Sequence, residues 1–175
     1  MGQTLTSTIT DKTVPIFILG MKNNKVSQYY EKLCIDNFKK FGYNNLNHFE
    51  AIVPETMGNE LTFESHRIYS STNKRKWDVV EKAIWYSHYS LWCKCLEMNE
   101  TIIVAEHDCM MTKPFTDIVL EHGLFSFAAT TRTSHSIAGV GYIITPKYAV
   151  KMIEKALKIV IKNPCDGFIH GLQIR

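Results

Sequence analysis

Ile102-Ile103-Val104-Ala105-Glu106-His107-Asp108-Cys109 begins as an apolar run far too short to cross a membrane and stops at two acids that bracket a histidine. Such a run reads as a strand buried on both faces, as in parallel sheets covered by helices. In an open α/β sheet, ligands gather outside the carboxyl ends of the strands, so carboxylates there can meet a metal ion or a phosphate-bearing ligand. In an extended chain Glu106 and Asp108 point to one face, about 6–7 Å apart, and His107 points to the other. Like charges at that separation favour a cation beside them, and Mg2+ or Mn2+ suits an oxygen ligand set. The competing reading is that the acids face water or cap the next turn.

Outward from this stretch, strands and helices alternate. Val14 to Leu19 reads as a buried strand, closed by Gly20 and the polar turn Lys22-Asn23-Asn24-Lys25. Val26, Tyr30, Leu33, Cys34, Phe38 and Phe41 then recur at helical spacing, with Gly42 where a helix ends. His48 to Val53 reads as a second strand, broken by Pro54. From 55 to 76 the periodicity is lost, and a segment of that length reads as a lid, a binding loop or a disordered insert. Its basic run Lys74-Arg75-Lys76-Trp77 either meets phosphates or opens a solvated helix. The spacing predicts a helix from about Trp77 to Met98 with Val80, Ile84, Ser87 or His88, Leu91 and Cys95 inward.

Beyond the central strand, Pro114-Phe115 opens a short helix through about His122, Leu124 to Ala129 reads as a strand, and 130–136 is a polar loop carrying Arg132 and His135. In the strand Ala138 to Ile144, Gly139 and Gly141 either let a ligand or another backbone come close or mark a bulge. Pro146 starts a helix to about Lys162 with Ala149, Met152, Ile153, Ala156, Leu157 and Val160 inward. Near the end, Asp166 and His170 stand four apart beside Gly167 and Gly171.

At 175 residues and 45% hydrophobic content, one well-buried domain is expected over 14–175, after a flexible, Thr-rich 1–13. A net charge of +3 is too mild to demand nucleic acid yet suits phosphate-bearing ligands. The five cysteines are odd in number and form no C-x-x-C pair, so neither a disulfide framework nor a zinc module is indicated, and a cytoplasmic location fits best. No stretch has the form of a signal peptide or a membrane span.

Four stretches, in order, resemble glycosyltransferase family 25, which includes lipopolysaccharide and collagen galactosyltransferases. They are Ile16-Phe17-Ile18-Leu19-Gly20-Met21, Ser87-His88-Tyr89-Ser90-Leu91-Trp92, Ile102 to Asp108 in place of an apolar strand ending Glu-Asp-Asp, and Gly139-Val140-Gly141-Tyr142-Ile143-Ile144-Thr145-Pro146-Lys147-Tyr148-Ala149. The resemblance implies a single GT-A-like, Rossmann-related domain with a twisted, mostly parallel central sheet flanked by helices. It implies a nucleotide-diphosphate sugar donor, expected to be a UDP-sugar, and metal-dependent transfer to a hydroxyl with inversion. Carried over residue by residue, Leu19, Gly20, Met21, Lys25, Ser87, His88, Glu106, His107 and Gly139 would line the donor site. Asp108, Glu106 and His170 would hold Mn2+ or Mg2+, and Asp166 would be the base.

The sequence departs from the family at His107, which replaces the middle acid, and at Lys25, which stands for an arginine and turns a bidentate phosphate contact into a point charge. The acceptor is expected to be a glycan. Two alternatives stay open: a viral-type transferase acting in host cytoplasm on hydroxylated bases in DNA, suggested by 74–77, and a degenerate nucleotide-sugar-binding or scaffold protein, suggested by His107.

Overall fold

A computed structural model describes residues 8–9, 12–57, 79–115, 118–119, 124–126, 141–158 and 165. Its elements are β1 (Thr8–Ile9), β2 (Ile16–Gly20), α1 (Lys25–Lys40), β3 (Leu46–Glu50), α2 (Val79–Met98), β4 (Ile102–Glu106), β5 (Ile118–Val119), β6 (Leu124–Ser126), β7 (Gly141–Ile144) and α3 (Pro146–Lys158). The main sheet has the order β3-β2-β4-β7-β6, and a separate two-stranded ribbon pairs β1 with β5. Strands β3, β2 and β4 are mutually parallel; β7 is antiparallel to β4, and β6 to β7, so β7 alone runs against the rest. This is the mostly parallel, Rossmann-like α/β sheet that the alternating pattern implies.

The apolar runs form strands here because both faces of the sheet are covered. Phe17, Leu19, Ile102, Val104, Tyr142 and Ile144 pack in one cluster with Trp85, Leu91 and Trp92 of α2 and Met152 of α3. On the other face Ile16, Ile18, Ile103, Ala105 and Ile143 meet Cys34 and Phe38 of α1. Strand β3, at the sheet edge, is only partly buried.

The helix ends follow local chemistry. Asn24 caps α1, its Oδ1 accepting from the amides of Val26 at 2.9 Å and Ser27 at 3.1 Å. At the other end Gly42, at φ 89°, lets its amide reach Lys39 O at 2.9 Å and that of Tyr43 reach Phe38 O at 3.1 Å. Pro146 opens α3 after Thr145, whose carbonyl accepts from Tyr148 at 3.0 Å and Ala149 at 2.9 Å.

Several expectations are corrected. The buried stripe of α1 is Ser27, Glu31, Cys34 and Phe38, while Val26, Tyr30 and Leu33 are exposed. The helix is rotated because Ser27 and Glu31, though polar, find partners inside. In α2, Val80 and Ile84 are exposed, and the larger rings of Trp85, Tyr86 and Trp92 take the core instead. Leu157 of α3 is exposed, and Tyr148 is buried. The second strand starts at Leu46 and ends at Glu50 rather than spanning His48 to Val53, since its register is set by Ile16↔Leu46 and Gly20↔Glu50 on a partner that ends at Gly20. No helix spans Pro114 to His122, because Ile118–Val119 is instead paired as a strand with Thr8–Ile9, which also gives the Thr-rich start a short strand.

Candidate functional site

The chain leaves β2 for β3 on one side and later enters β4 on the other, so the strand order reverses between β2 and β4. Open α/β sheets bind ligands in the crevice at such a reversal, outside the carboxyl ends of the strands. Leu19 of β2 pairs with Glu106 of β4 at this point. Strand β4 ends there in a tight turn, with the Cys109 amide donating to Glu106 O at 2.9 Å. Glu106 falls on the α2 face and His107 on the α1 face, where its ring lies 6.4 Å from that of Tyr30. Asp108 is exposed in the turn. The strand alternation expected to align Glu106 with Asp108 therefore stops at Glu106, and it is the turn that brings both acids to the rim.

Glu106 is tied inward. His88 of α2 is 1% exposed, and its Nε2 lies 3.4 Å from Glu106 Oε1. Its Nδ1 lies 3.0 Å from Tyr142 Oη, which also accepts from Trp92 Nε1 at 2.9 Å. Indole can only donate, so the Tyr142 oxygen is the acceptor from Trp92, and its own proton is available to His88 Nδ1. The opposite ring nitrogen, Nε2, faces Glu106. Burial alone would raise the Glu106 pKa, but the interaction with the adjoining His88 ring, and to a smaller extent with His107, outweighs it and holds the carboxyl below its usual value. His88 thus meets the site through Glu106, from inside the core.

Ser87, its buried neighbour, donates to Ala83 O at 2.9 Å and accepts from the Ile52 amide at 2.8 Å, fastening the segment after β3 to α2. The loop after β2 is fastened as well. The Met21 amide donates to Ser27 Oγ at 2.9 Å, and the Lys22 amide to Glu50 Oε1 at 3.0 Å. Glu50 also accepts from His48 Nε2 at 3.0 Å, and His48 Nδ1 lies 2.6 Å from Glu31 Oε1. Leu19 points into the core, whereas Lys25 is exposed at the start of α1. Gly20 is where the backbone and Glu31 meet, since a Cβ there would sit 2.5 Å from Glu31 Oε2.

The structure therefore brings Leu19, Gly20, Met21, Glu106, His107 and Asp108 to one rim, with Ser87 and His88 beneath it. Gly139, Asp166, His170 and the basic run 74–77 lie outside the described residues. Cys165, next to Asp166, is buried in the same cluster as Tyr142. Sequence reasoning missed Glu31, His48, Glu50, Tyr142 and Trp92 as partners at the site. Tyr142 and Trp92 stood in quoted blocks, but their pairing, like the others, needs the sheet register to be seen.

Among the described residues no group of three His, Cys, Asp or Glu side chains gathers as a ready cation site. Mg2+ and Mn2+ are commonly held by one or two carboxylates, with substrate phosphates and water completing the shell. The two acids on the β4 turn fit that mode.

A mostly parallel sheet whose strand order reverses beside an acidic turn defines a Rossmann-like α/β domain. The profile of Glycosyltransferase family 25 (LPS biosynthesis protein) matches residues 15–126, more than half of the chain, and the chain belongs to this family of glycosyltransferases. No curated protein matches it. No helix among the described residues is long and apolar enough to cross a membrane.

Proposed function

We propose that the protein transfers a sugar from a nucleoside diphosphate sugar, expected to be a UDP-sugar, to a hydroxyl of a glycan, with inversion and with Mn2+ or Mg2+. The observation that carries this reading is the acid pair Glu106 and Asp108 on the turn that ends β4, beside Leu19 at the strand-order reversal, within the segment that the family profile covers. Asp108, exposed in the turn, would be the main ligand of the cation, and Glu106 would meet the donor or a cation-bound water. When bound, such an ion neutralises the charge that builds on a departing diphosphate. Met21, Lys25 and the backbone at Gly20 would face the donor, Lys25 as a point charge toward phosphate.

In the transfer, the acceptor oxygen forms its bond to the anomeric carbon as the bond from that carbon to the diphosphate oxygen breaks. The proton of the acceptor hydroxyl passes to a carboxylate, for which Asp166 is the candidate, and His170 is the candidate further ligand. The glycan acceptor follows the family description, which speaks of lipopolysaccharide synthesis.

A panel of nucleotide sugars, scored by released nucleoside diphosphate with and without Mn2+, tests donor, activity and metal together. Release from a UDP-sugar that depends on the ion is expected. Binding without release would favour the non-catalytic reading raised by His107, and release indifferent to chelator would remove the ion from the proposal.

A further inference from the structure

We propose that Tyr142, held by Trp92, and His88 are positioning residues that set the Glu106 carboxylate at the tip of β4. Three elements converge to make this chain of contacts: Trp92 and His88 from α2, Tyr142 from β7 and Glu106 from β4. Trp92 and Tyr142 are fully buried and His88 is 1% exposed, so their polar atoms are removed from water. Burying polar groups costs free energy that an all-apolar core would avoid, and the cost is limited only when every group is paired. Here the pairing is directional. It starts at a group that can only donate and ends at a carboxylate that can only accept. The Glu106 side chain is 31% exposed, so with Oε1 facing His88 the rest of the carboxylate is left toward the crevice. A carboxylate on a strand end would otherwise sample several rotamers, and a fixed donor beneath it selects one.

The role in turnover rests on the proposed function, but the contacts can be tested without it. Two-bond proton–nitrogen spectra of the intact protein with labelled imidazoles should show His88 with Nδ1 as acceptor and the proton on Nε2. Tyr142→Phe should change the Nδ1 signal, and Glu106→Gln should move the Nε2 proton. A His88 protonated on Nδ1 alone, or a spectrum indifferent to both substitutions, overturns the proposal. In the donor assay, His88→Leu should lower kcat about 10–100-fold, as losing a partner that orients a ligand-binding side chain does, and Tyr142→Phe about tenfold. His88→Gln, whose amide can both accept from Tyr142 and donate to Glu106, should recover most of the loss at similar thermal stability. Losses that follow melting temperature alone, with no recovery in His88→Gln, would make these residues merely structural and overturn the proposal. If the parent releases no nucleoside diphosphate from any donor, the functional reading falls and the imidazole spectrum alone decides for or against the relay.

Discussion

His48 Nδ1 lies 2.6 Å from Glu31 Oε1, joining edge strand β3 to the buried side of α1 directly beside the glycine that ends β2. The opposite ring nitrogen meets Glu50, which in turn accepts from the Lys22 amide, so a single imidazole ties the loop after β2 to two elements of the fold.

This arrangement predicts a pH dependence of stability. Partial burial alone would lower the His48 pKa, but hydrogen bonds to Glu31 and Glu50 and their charges outweigh it and raise it above the ordinary 6.5. The folded protein binds this proton more tightly than the unfolded chain, so the contribution is fully present below pH 6.5 and is lost as pH rises through the raised value. Glu50 acts in a separate window, because its lowered pKa gives stability that is present above 4.5 and lost as pH falls through the lowered value. Urea unfolding of the parent and of Glu31→Gln across neutral pH checks the first window. The parent should lose stability on the alkaline side more steeply than the variant, and parallel curves would remove His48 as the cause.

Gly20 offers a second test, because its missing side chain is what admits Glu31. A Cβ there would stand 2.5 Å from Glu31 Oε2 and 3.0 Å from its Cδ. The carboxylate cannot retreat without leaving His48, so Gly20→Ala should cost about 1–3 kcal/mol, as overpacking of a well-filled site does. Combined with Glu31→Ala, which empties the space, the two losses should be clearly less than additive. Additive losses in chemical denaturation would mean that the strain lies elsewhere.

How far the sequence carries this picture depends on whether a feature is local. The apolar run 102–105, the Asn24 cap and the Gly42 stop were legible, because each is decided by residues within a turn of one another. The acids at 106 and 108 were legible as a rim, since a strand end needs no knowledge of its neighbours. The phase of α1 was not. Counting apolar residues selects Val26, Tyr30 and Leu33, yet Glu31 is buried because His48, 17 positions later, supplies it with a hydrogen-bond partner there. The relay beneath Glu106 was hidden for the same reason, as His88 and Tyr142 stand 54 positions apart and meet only once β7 pairs with β4. Val104↔Tyr142 is a fact of register, and register is decided by the whole sheet.

Ser87 supplies a local test of how the segment after β3 is held. Its hydroxyl accepts from the Ile52 amide at 2.8 Å, and Ser87→Ala would leave that amide without its partner. The expected cost is about 1–2 kcal/mol, the usual range for stranding a partly buried donor. Hydrogen exchange should report it specifically, with the Ile52 amide exchanging faster while Ile103, on the opposite face of the sheet, is unchanged. Unaltered exchange at Ile52 would show that the segment is fastened by other contacts.

The last prediction concerns Asp108, where fold and chemistry can be separated most cleanly. Asp108 is exposed in the turn after β4, so replacing its carboxylate with the isosteric amide removes a charge without opening a cavity or stranding a buried partner. Asp108→Asn should therefore melt within about half a kcal/mol of the parent, as surface substitutions do. If the carboxylate helps hold a divalent cation against a diphosphate, ion-dependent turnover should fall by about 100-fold or more, the scale of losing an electrostatic contact to the reacting group. Binding gives a readout that needs no turnover. A ligand that binds only the folded state raises its stability by RT ln(1 + [L]/Kd), so UDP with Mn2+ should raise the melting temperature of the parent far more than that of Asp108→Asn. UDP without the ion should affect the two proteins alike. Equal shifts with Mn2+ present, together with full turnover in Asp108→Asn, would remove Asp108 from the cation site and leave Glu106 as the acid to test next.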